Sequence, residues 1–169
     1  MRERRESVST RVAVIGAGAC TAAEAALAEE VGRLLAEAGA VVLTGGRGGV
    51  MAAASRGAAQ AGGLVVGILP GDDASQANPW VALPIVTGLG EARNAILMRT
   101  AQAVIAVGGE YGTLSEIAFA LKFGRPVVGL HTWRASGPNQ TALPIQSVDS
   151  AAEAVAAVLA ALNSRGGTQ

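Results

Sequence analysis

The chemistry this chain can offer is concentrated in three glycine-rich turns and the few polar residues set among them. The segment GGEYGTLSE (108–116) carries Gly108, Gly109 and Gly112 together with Glu110, Tyr111, Thr113 and Glu116. TGGRGGVM (44–51) places Arg47 between Gly45–Gly46 and two further glycines, and GAGACT (16–21) supplies Gly16 and Gly18. Glycines at such density let backbone N–H groups approach an anion closely, above all where a helix begins. A phosphate held on Gly109–Thr113, with the Thr113 hydroxyl beside it, is the chemistry this pattern suggests. Arg93, in GEARN (90–94), lies near a helix start, where a cation opposes the helix dipole. That placement suits a neighbouring anionic ligand. Thr113 and Glu116 also fit a T-x-x-E capping box, so Glu116 has a purely structural reading as well.

Other candidate chemistries are weaker. GAGACT lacks the third glycine of G-x-G-x-x-G, because Thr21 holds that position, and no acidic residue follows the second strand to bind a ribose. A standard dinucleotide site is not expected. His131 is the only histidine and has no serine elbow to serve. Asp72 and Asp73 follow Pro-Gly and read as turn residues. Trp80 and Trp133 fall in loops, where either could cover a ligand ring or simply pack. Cys20 is the only cysteine, so an internal disulfide and a thiolate-rich zinc site are both excluded. No metal site is expected.

The elements that must position these residues alternate regularly. Short apolar runs at 11–16, 41–46, 64–69, 103–109 and 125–131 read as strands, with a weaker one in LPIVTG (83–88). Helical patterns fall at 21–39, 49–62, 91–101, 113–123 and 150–162. In the first, Leu27, Val31, Leu34, Leu35 and Ala38 share a face, and Gly39 is the expected stop. Nearly continuous apolar strands alternating with helices predict a doubly wound, Rossmann-like α/β fold, a parallel sheet covered on both faces. In such sheets the ligand lies beyond the carboxyl ends of the strands, where strand order reverses.

The chain has 169 residues, half of them hydrophobic but only 3% aromatic, so its core must be built from Ala, Val, Leu and Ile. Thirteen basic and thirteen acidic residues leave no net field for nucleic acid or an anionic membrane. One domain over 10–163 is expected, with disordered tails at 1–9 and 164–169. No apolar run is long enough to span a bilayer and no signal peptide is visible, so a reducing cytoplasm is the expected setting.

TGGRGGVM, GEARN and VIAVGGEYGTLSEIAFALKFGRPVVGL together resemble the LOG-like family of Rossmann-type proteins, over about 11–162. That family includes phosphoribohydrolases of cytokinin riboside monophosphates, and a neighbouring branch resembles molybdenum cofactor carrier proteins. The family's P-G-G-x-G-T-x-x-E element falls on Gly108–Glu116, with Gly108 in place of proline and Glu110 in place of the second glycine. The hydrolases usually carry Arg-Lys where this chain has Arg93-Asn94. These departures place the chain nearer the carrier branch. A lysine decarboxylase label once given to such proteins gains no support, because Lys122 is the only lysine and sits mid-helix.

The resemblance implies one of two functions. The first is hydrolysis of the N-glycosidic bond of a nucleoside 5'-monophosphate, giving free base and ribose 5-phosphate. Arg93 and Glu116 would then be catalytic: Arg93 would hold the ribose phosphate end or orient Glu116, and Glu116 would stabilise oxocarbenium-like charge or position water. The second is a carrier that binds a pterin phosphate such as molybdenum cofactor without turnover. Both need the same glycine cradles, neither requires a resident cofactor, and both imply a homodimer or higher homo-oligomer. Glu110 would repel a phosphate, which predicts that it pairs with Arg47 or Arg93 when no ligand is bound.

Overall fold

A computed structural model describes residues 9–166. Seven strands form one sheet: β1 (Arg11–Gly16), β2 (Val41–Thr44), β3 (Val65–Leu69), β4 (Leu83–Val86), β5 (Ala103–Val107), β6 (Val127–Leu130) and β7 (Ile145–Val148). Their order across the sheet is β4-β3-β2-β1-β5-β6-β7, and every neighbouring pair is parallel. The five helices are α1 (Ala22–Glu37), α2 (Val50–Gln60), α3 (Arg93–Thr100), α4 (Tyr111–Lys122) and α5 (Ala151–Gly166). This is the doubly wound α/β architecture the pattern predicts.

The sheet separates two apolar cores. On one face α1, α2 and α5 pack Ala28, Val31, Leu35, Ala54, Ala58 and Val158 against Val12, Val14, Val42 and Ile105. On the other, α3 and α4 pack Leu97, Met98, Ile117 and Ala120 against Ala13, Ile15, Leu43 and Val104. Small residues let α1 and α2 approach so closely that a Cβ on Gly32 or Gly57 would strike the facing backbone. The central strands β1, β3 and β5 are buried on both faces, which is why they read as unbroken apolar runs.

Several boundaries differ from expectation. The strand β7 was not anticipated. It is a short edge strand with Gln146 and Ser147 exposed, so only its pairing with β6 reveals it. The helix α5 runs on to Gly166, past the expected end at 162 and into the expected tail. The other expected tail, 1–9, lies outside the described residues except for Ser9. In α1, Ala38 is exposed at the C-cap instead of facing the core, while Gly39 at φ +77° makes the expected stop. The helix α4 begins at Tyr111, not Thr113.

Strand order reverses between β1 and β5, whose register pairs Gly16 with Val107. The crevice beyond these two strand ends is therefore where a ligand is expected. It is bordered by the β1–α1 turn, the β5–α4 turn and the start of α3.

Candidate ligand-binding site

A cavity of about 160 Å³ opens at that crevice. It is lined by Gly16, Ala17 and Gly18 from β1–α1, Arg93 and Asn94 from α3, and Glu110, Gly112, Thr113 and Glu116 from β5–α4, with Met51 and Glu91 at its sides. The fold thus brings Gly16, Gly18, Arg93, Glu110, Gly112, Thr113 and Glu116 together. It leaves Gly45, Gly46, Arg47, Gly108, Gly109 and Tyr111 off the lining.

The start of α4 is open. Its N-cap is Glu110, and no side chain caps the helix. The N–H groups of Tyr111, Gly112 and Thr113 precede the first intrahelical bond, which Leu114 donates to the Glu110 carbonyl. Thr113 is only 3% exposed, and its hydroxyl has no partner among the described residues. A Cβ on Gly112 would meet nothing within 4 Å. These groups form a cradle of donors with room before it.

The capping-box reading of Thr113 and Glu116 is incorrect. Thr113 is the third residue of α4, and Glu116 lies on its second turn, 8% exposed. The capping box in this fold is at α1, where Thr21 Oγ1 accepts from the Glu24 N–H and Glu24 Oε2 accepts from the Thr21 N–H at 2.8 Å. That helix start is already satisfied by its own side chains. The Gly16–Gly18 turn before it lines the cavity.

Burial raises the Glu116 carboxyl to a pKa of about 7, with the Arg93 charge pulling the other way. Its oxygens accept no hydrogen bond among the described residues, so nothing stabilises the ionised form beyond that arginine. Glu116 is divided between its acid and its carboxylate near neutral pH.

Arg93 is held from behind. Its Nη1 donates to the Gly45 carbonyl at 2.6 Å and to the Ile68 carbonyl, and its Nε donates to Asn94 Oδ1 at 2.9 Å. Only Nη2 lacks a protein partner among the described residues. The guanidinium therefore binds the ends of β2 and β3 to α3 and keeps one nitrogen for the cavity. Burial, first, and the nearby Arg47 both lower its proton affinity, while Glu116 and Glu91 oppose them.

Asn94 was singled out in the sequence only as a departure from the hydrolases. It is 6% exposed and bridges the site: Oδ1 accepts from Arg93, and Nδ2 donates to Ser115 Oγ at 3.1 Å. Ser115 Oγ in turn donates to the Gly112 carbonyl at 2.7 Å. Lysine could not replace it, because an ammonium has no acceptor for Arg93. Met51 and Glu91 are further lining residues for which the sequence held no signal.

In the turn TGGRGGVM, Gly45, Gly46 and Gly49 make close contacts within the fold. Gly45 leaves space for Arg93, since a Cβ there would lie 2.5 Å from Nη1. Gly46 adopts φ +74° against Leu69, and its N–H donates to Thr44 Oγ1 at 3.1 Å. Gly49 adopts φ +60° with its Cα against the Ala17 carbonyl, and the Val50 N–H donates to that same carbonyl. These glycines allow loops to touch each other, and Arg47 is exposed.

The expected pairing of Glu110 is also absent. Glu110 is exposed, and neither Arg47 nor Arg93 forms an ion pair with it among the described residues. Its backbone carbonyl, not its carboxylate, is engaged, accepting from Trp133 Nε1 at 3.1 Å. Among the described residues no group of three or more His, Cys, Asp or Glu side chains is placed to hold a metal ion. No helix among them is long and apolar enough to cross a membrane.

Sheet order and site geometry together define a Rossmann-like protein with the uncapped start of α4 at its topological switch point. Residues 9–160 match the SLOG cluster4 family, and the chain belongs to that family. A protein of Archaeoglobus fulgidus, described only as uncharacterized, is 48% identical over 120 residues, covering 71% of this chain and 79% of its own length. Among solved structures, the molybdenum cofactor binding protein of Rippkaea orientalis is similar at 35% identity and a TM-score of 0.82, covering 92% of this chain and 99% of that one. The Moco carrier protein of Chlamydomonas reinhardtii is similar at 36% identity and a TM-score of 0.82, covering 93% and 99%.

Proposed function

We propose that this protein binds a phosphorylated pterin, of the molybdenum cofactor type, and holds it without turnover. The observation that carries the proposal is the uncapped start of α4, with Gly112 and Thr113 lining a cavity at the switch point, in a chain similar over nearly its whole length to molybdenum cofactor carriers. The phosphate would sit on Gly112 and Thr113, with Arg93 Nη2 as a further donor. A shortfall of positive charge supports binding over catalysis at the phosphate. Glu91, Glu110 and Glu116 line the cavity with one arginine, and that arginine commits two of its five N–H donors to the Gly45 and Ile68 carbonyls and a third to Asn94. A partly protonated Glu116 lessens the repulsion and can donate a hydrogen bond to a phosphate oxygen.

Hydrolysis of nucleoside 5'-monophosphates is the second reading, favoured by the placement of a buried carboxyl beside the cradle. In that case Glu116 in its ionised form would face the sugar, and Arg93 would be a catalytic residue. A homodimer belongs to either reading. Leu83, Ile85, Val86 and Leu89 are exposed along the β4 edge and the turn after it, an apolar surface that a second copy would cover. Sedimentation of the purified protein tests that assembly.

The two functions separate in one experiment. Protein purified from a host that makes molybdenum cofactor is assayed for bound pterin, phosphate and molybdenum, and then incubated with AMP, GMP and CMP. Co-purified pterin and no released base are expected. Free base and ribose 5-phosphate, formed in wild type and lost in Glu116→Gln, would overturn the carrier reading.

A further inference from the structure

A second cavity, of about 280 Å³, lies on the other side of the Gly108–Glu110 turn. It is lined by Glu24, Gly108, Gly109, His131, Thr132 and Trp133. The first cavity alone, at about 160 Å³, is smaller than the roughly 300–1,000 Å³ that hold an intact small ligand, and together the two reach that range. A phosphorylated heterocycle seated at the start of α4 therefore has to extend beyond the first cavity.

Trp133 gives the second cavity an aromatic wall. Trp133 is one of only two tryptophans in a chain that is 3% aromatic. Its Nε1 is anchored to the Glu110 carbonyl, and its ring lies 5.6 Å from that of Tyr111, which is 81% exposed. An aromatic face held in this way beside a phosphate cradle loses little freedom when a ring stacks on it. The backbone around it is held too. His131 adopts φ +52°, an uncommon conformation for a residue with a Cβ, and Thr132 Oγ1 donates to the Gly108 carbonyl at 2.5 Å. That turn carries Trp133 over the β5–α4 loop.

Glu24 supplies the polar contact. Its Oε2 is occupied by the N–H and hydroxyl of Thr21. Its Oε1 lies over Gly108, where a Cβ would collide with it, and accepts no hydrogen bond among the described residues. Because the capping box holds the carboxylate, the free oxygen is a positioned acceptor in the cavity wall.

From this geometry we infer that the cavity at the ends of β5 and β6 binds the 2-amino-4-oxo heterocycle of the ligand. Glu24 Oε1 accepts from its amino edge, and Trp133 covers its face. The inference rests on the phosphate reading of the first cavity and names the ring that goes with it. A pterin and a guanine share this donor edge, so the chemistry has two sources.

Isothermal titration tests it with ribose 5-phosphate, IMP, GMP, 6-hydroxymethylpterin phosphate and unphosphorylated neopterin. The variants are Glu24→Gln, which keeps the capping box, Trp133→Phe and Trp133→Ala. GMP or the pterin phosphate is expected to bind at least tenfold tighter than ribose 5-phosphate and IMP, and the tighter of the two identifies the source. Glu24→Gln should bring both down to the level of ribose 5-phosphate without altering ribose 5-phosphate itself. Trp133→Ala should weaken the ring-bearing probes tenfold, and Trp133→Phe should restore most of that loss. Affinity for both GMP and the pterin phosphate no greater than for IMP, or a Glu24→Gln effect that is absent or equal across all probes, would overturn the inference. Failure of the phosphate reading looks different: ribose 5-phosphate would not bind, while neopterin would still depend on Glu24 and Trp133.

Discussion

Two glycine-rich turns in this molecule look alike in sequence and do opposite things. The β2–α2 turn, Gly45–Gly49, is filled: Arg93, Leu69 and the Ala17 carbonyl occupy the places where side chains would be. The β5–α4 turn is half open. Gly108 and Gly109 need their positive φ and their bare Cα atoms, but Gly112 faces empty space at an uncapped helix start. Glycine in the first turn serves contact within the fold, and Gly112 in the second leaves room for something that is not part of the fold. The difference lies in whether the missing Cβ would meet protein or open space.

The largest effect should come from breaking the filled turn. Gly49→Ala forces φ +60° on a residue with a Cβ and drives that Cβ into the Ala17 carbonyl, so a loss of about 3 kcal/mol or more is expected in urea denaturation. A loss below about 1 kcal/mol would mean that the loop contact is soft. Gly112→Val sharpens the contrast from the other side. It should change stability by no more than about 1 kcal/mol, since valine is tolerated in a helix at least as well as glycine. Affinity for 6-hydroxymethylpterin phosphate should fall about 100-fold, or about 2.7 kcal/mol. Unchanged affinity in the folded variant would remove the phosphate from α4.

The next effect in size belongs to Glu116. Its folded pKa of about 7 lies above the ordinary 4.5, so between these values the native state holds more proton than the unfolded chain. Stability contributed by the neutral acid is complete below about pH 4.5, declines as pH rises, and is gone above about 7. Glu116→Gln should remove this dependence and stabilise the protein by roughly 1–3 kcal/mol at pH 8, with little change at pH 4.5. Thermal denaturation of both proteins across that range is the measurement, and parallel curves would show that Glu116 is ionised without penalty. Sulfate, a dianion throughout, should bind wild type more tightly at pH 6 than at pH 8, and the Gln variant equally at both.

The smallest effect concerns Glu110. With no arginine to neutralise it, its carboxylate repels an anion on α4 by up to about 1 kcal/mol in a watery setting. Glu110→Gly, which keeps an acceptable N-cap, should tighten binding of the pterin phosphate about threefold at low salt and by less at high salt. Equal affinity at both salts would show that the carboxylate points away from the ligand.

Strand and helix order were legible because parallel strands buried on both faces must be apolar throughout, as β1, β3 and β5 are. The position of Arg93 at a helix start and the crowding of glycines at three strand ends were legible for the same local reason. Edge strands escape this rule: β7 pairs on one side only, carries Gln146 and Ser147 outward, and has no pattern to betray it. The T-x-x-E at Thr113 was ambiguous, because only the actual start of α4, at Tyr111, decides whether Thr113 caps it. By itself, the sequence determined the doubly wound sheet and the strand ends where a ligand could bind, since periodicity and turn chemistry act over a few residues. Only the tertiary structure decided which glycines are packed and which are open, that Arg93 clamps two carbonyls, and that Glu116 is buried. Those outcomes depend on what another part of the chain places within a few ångströms, and no local pattern encodes that.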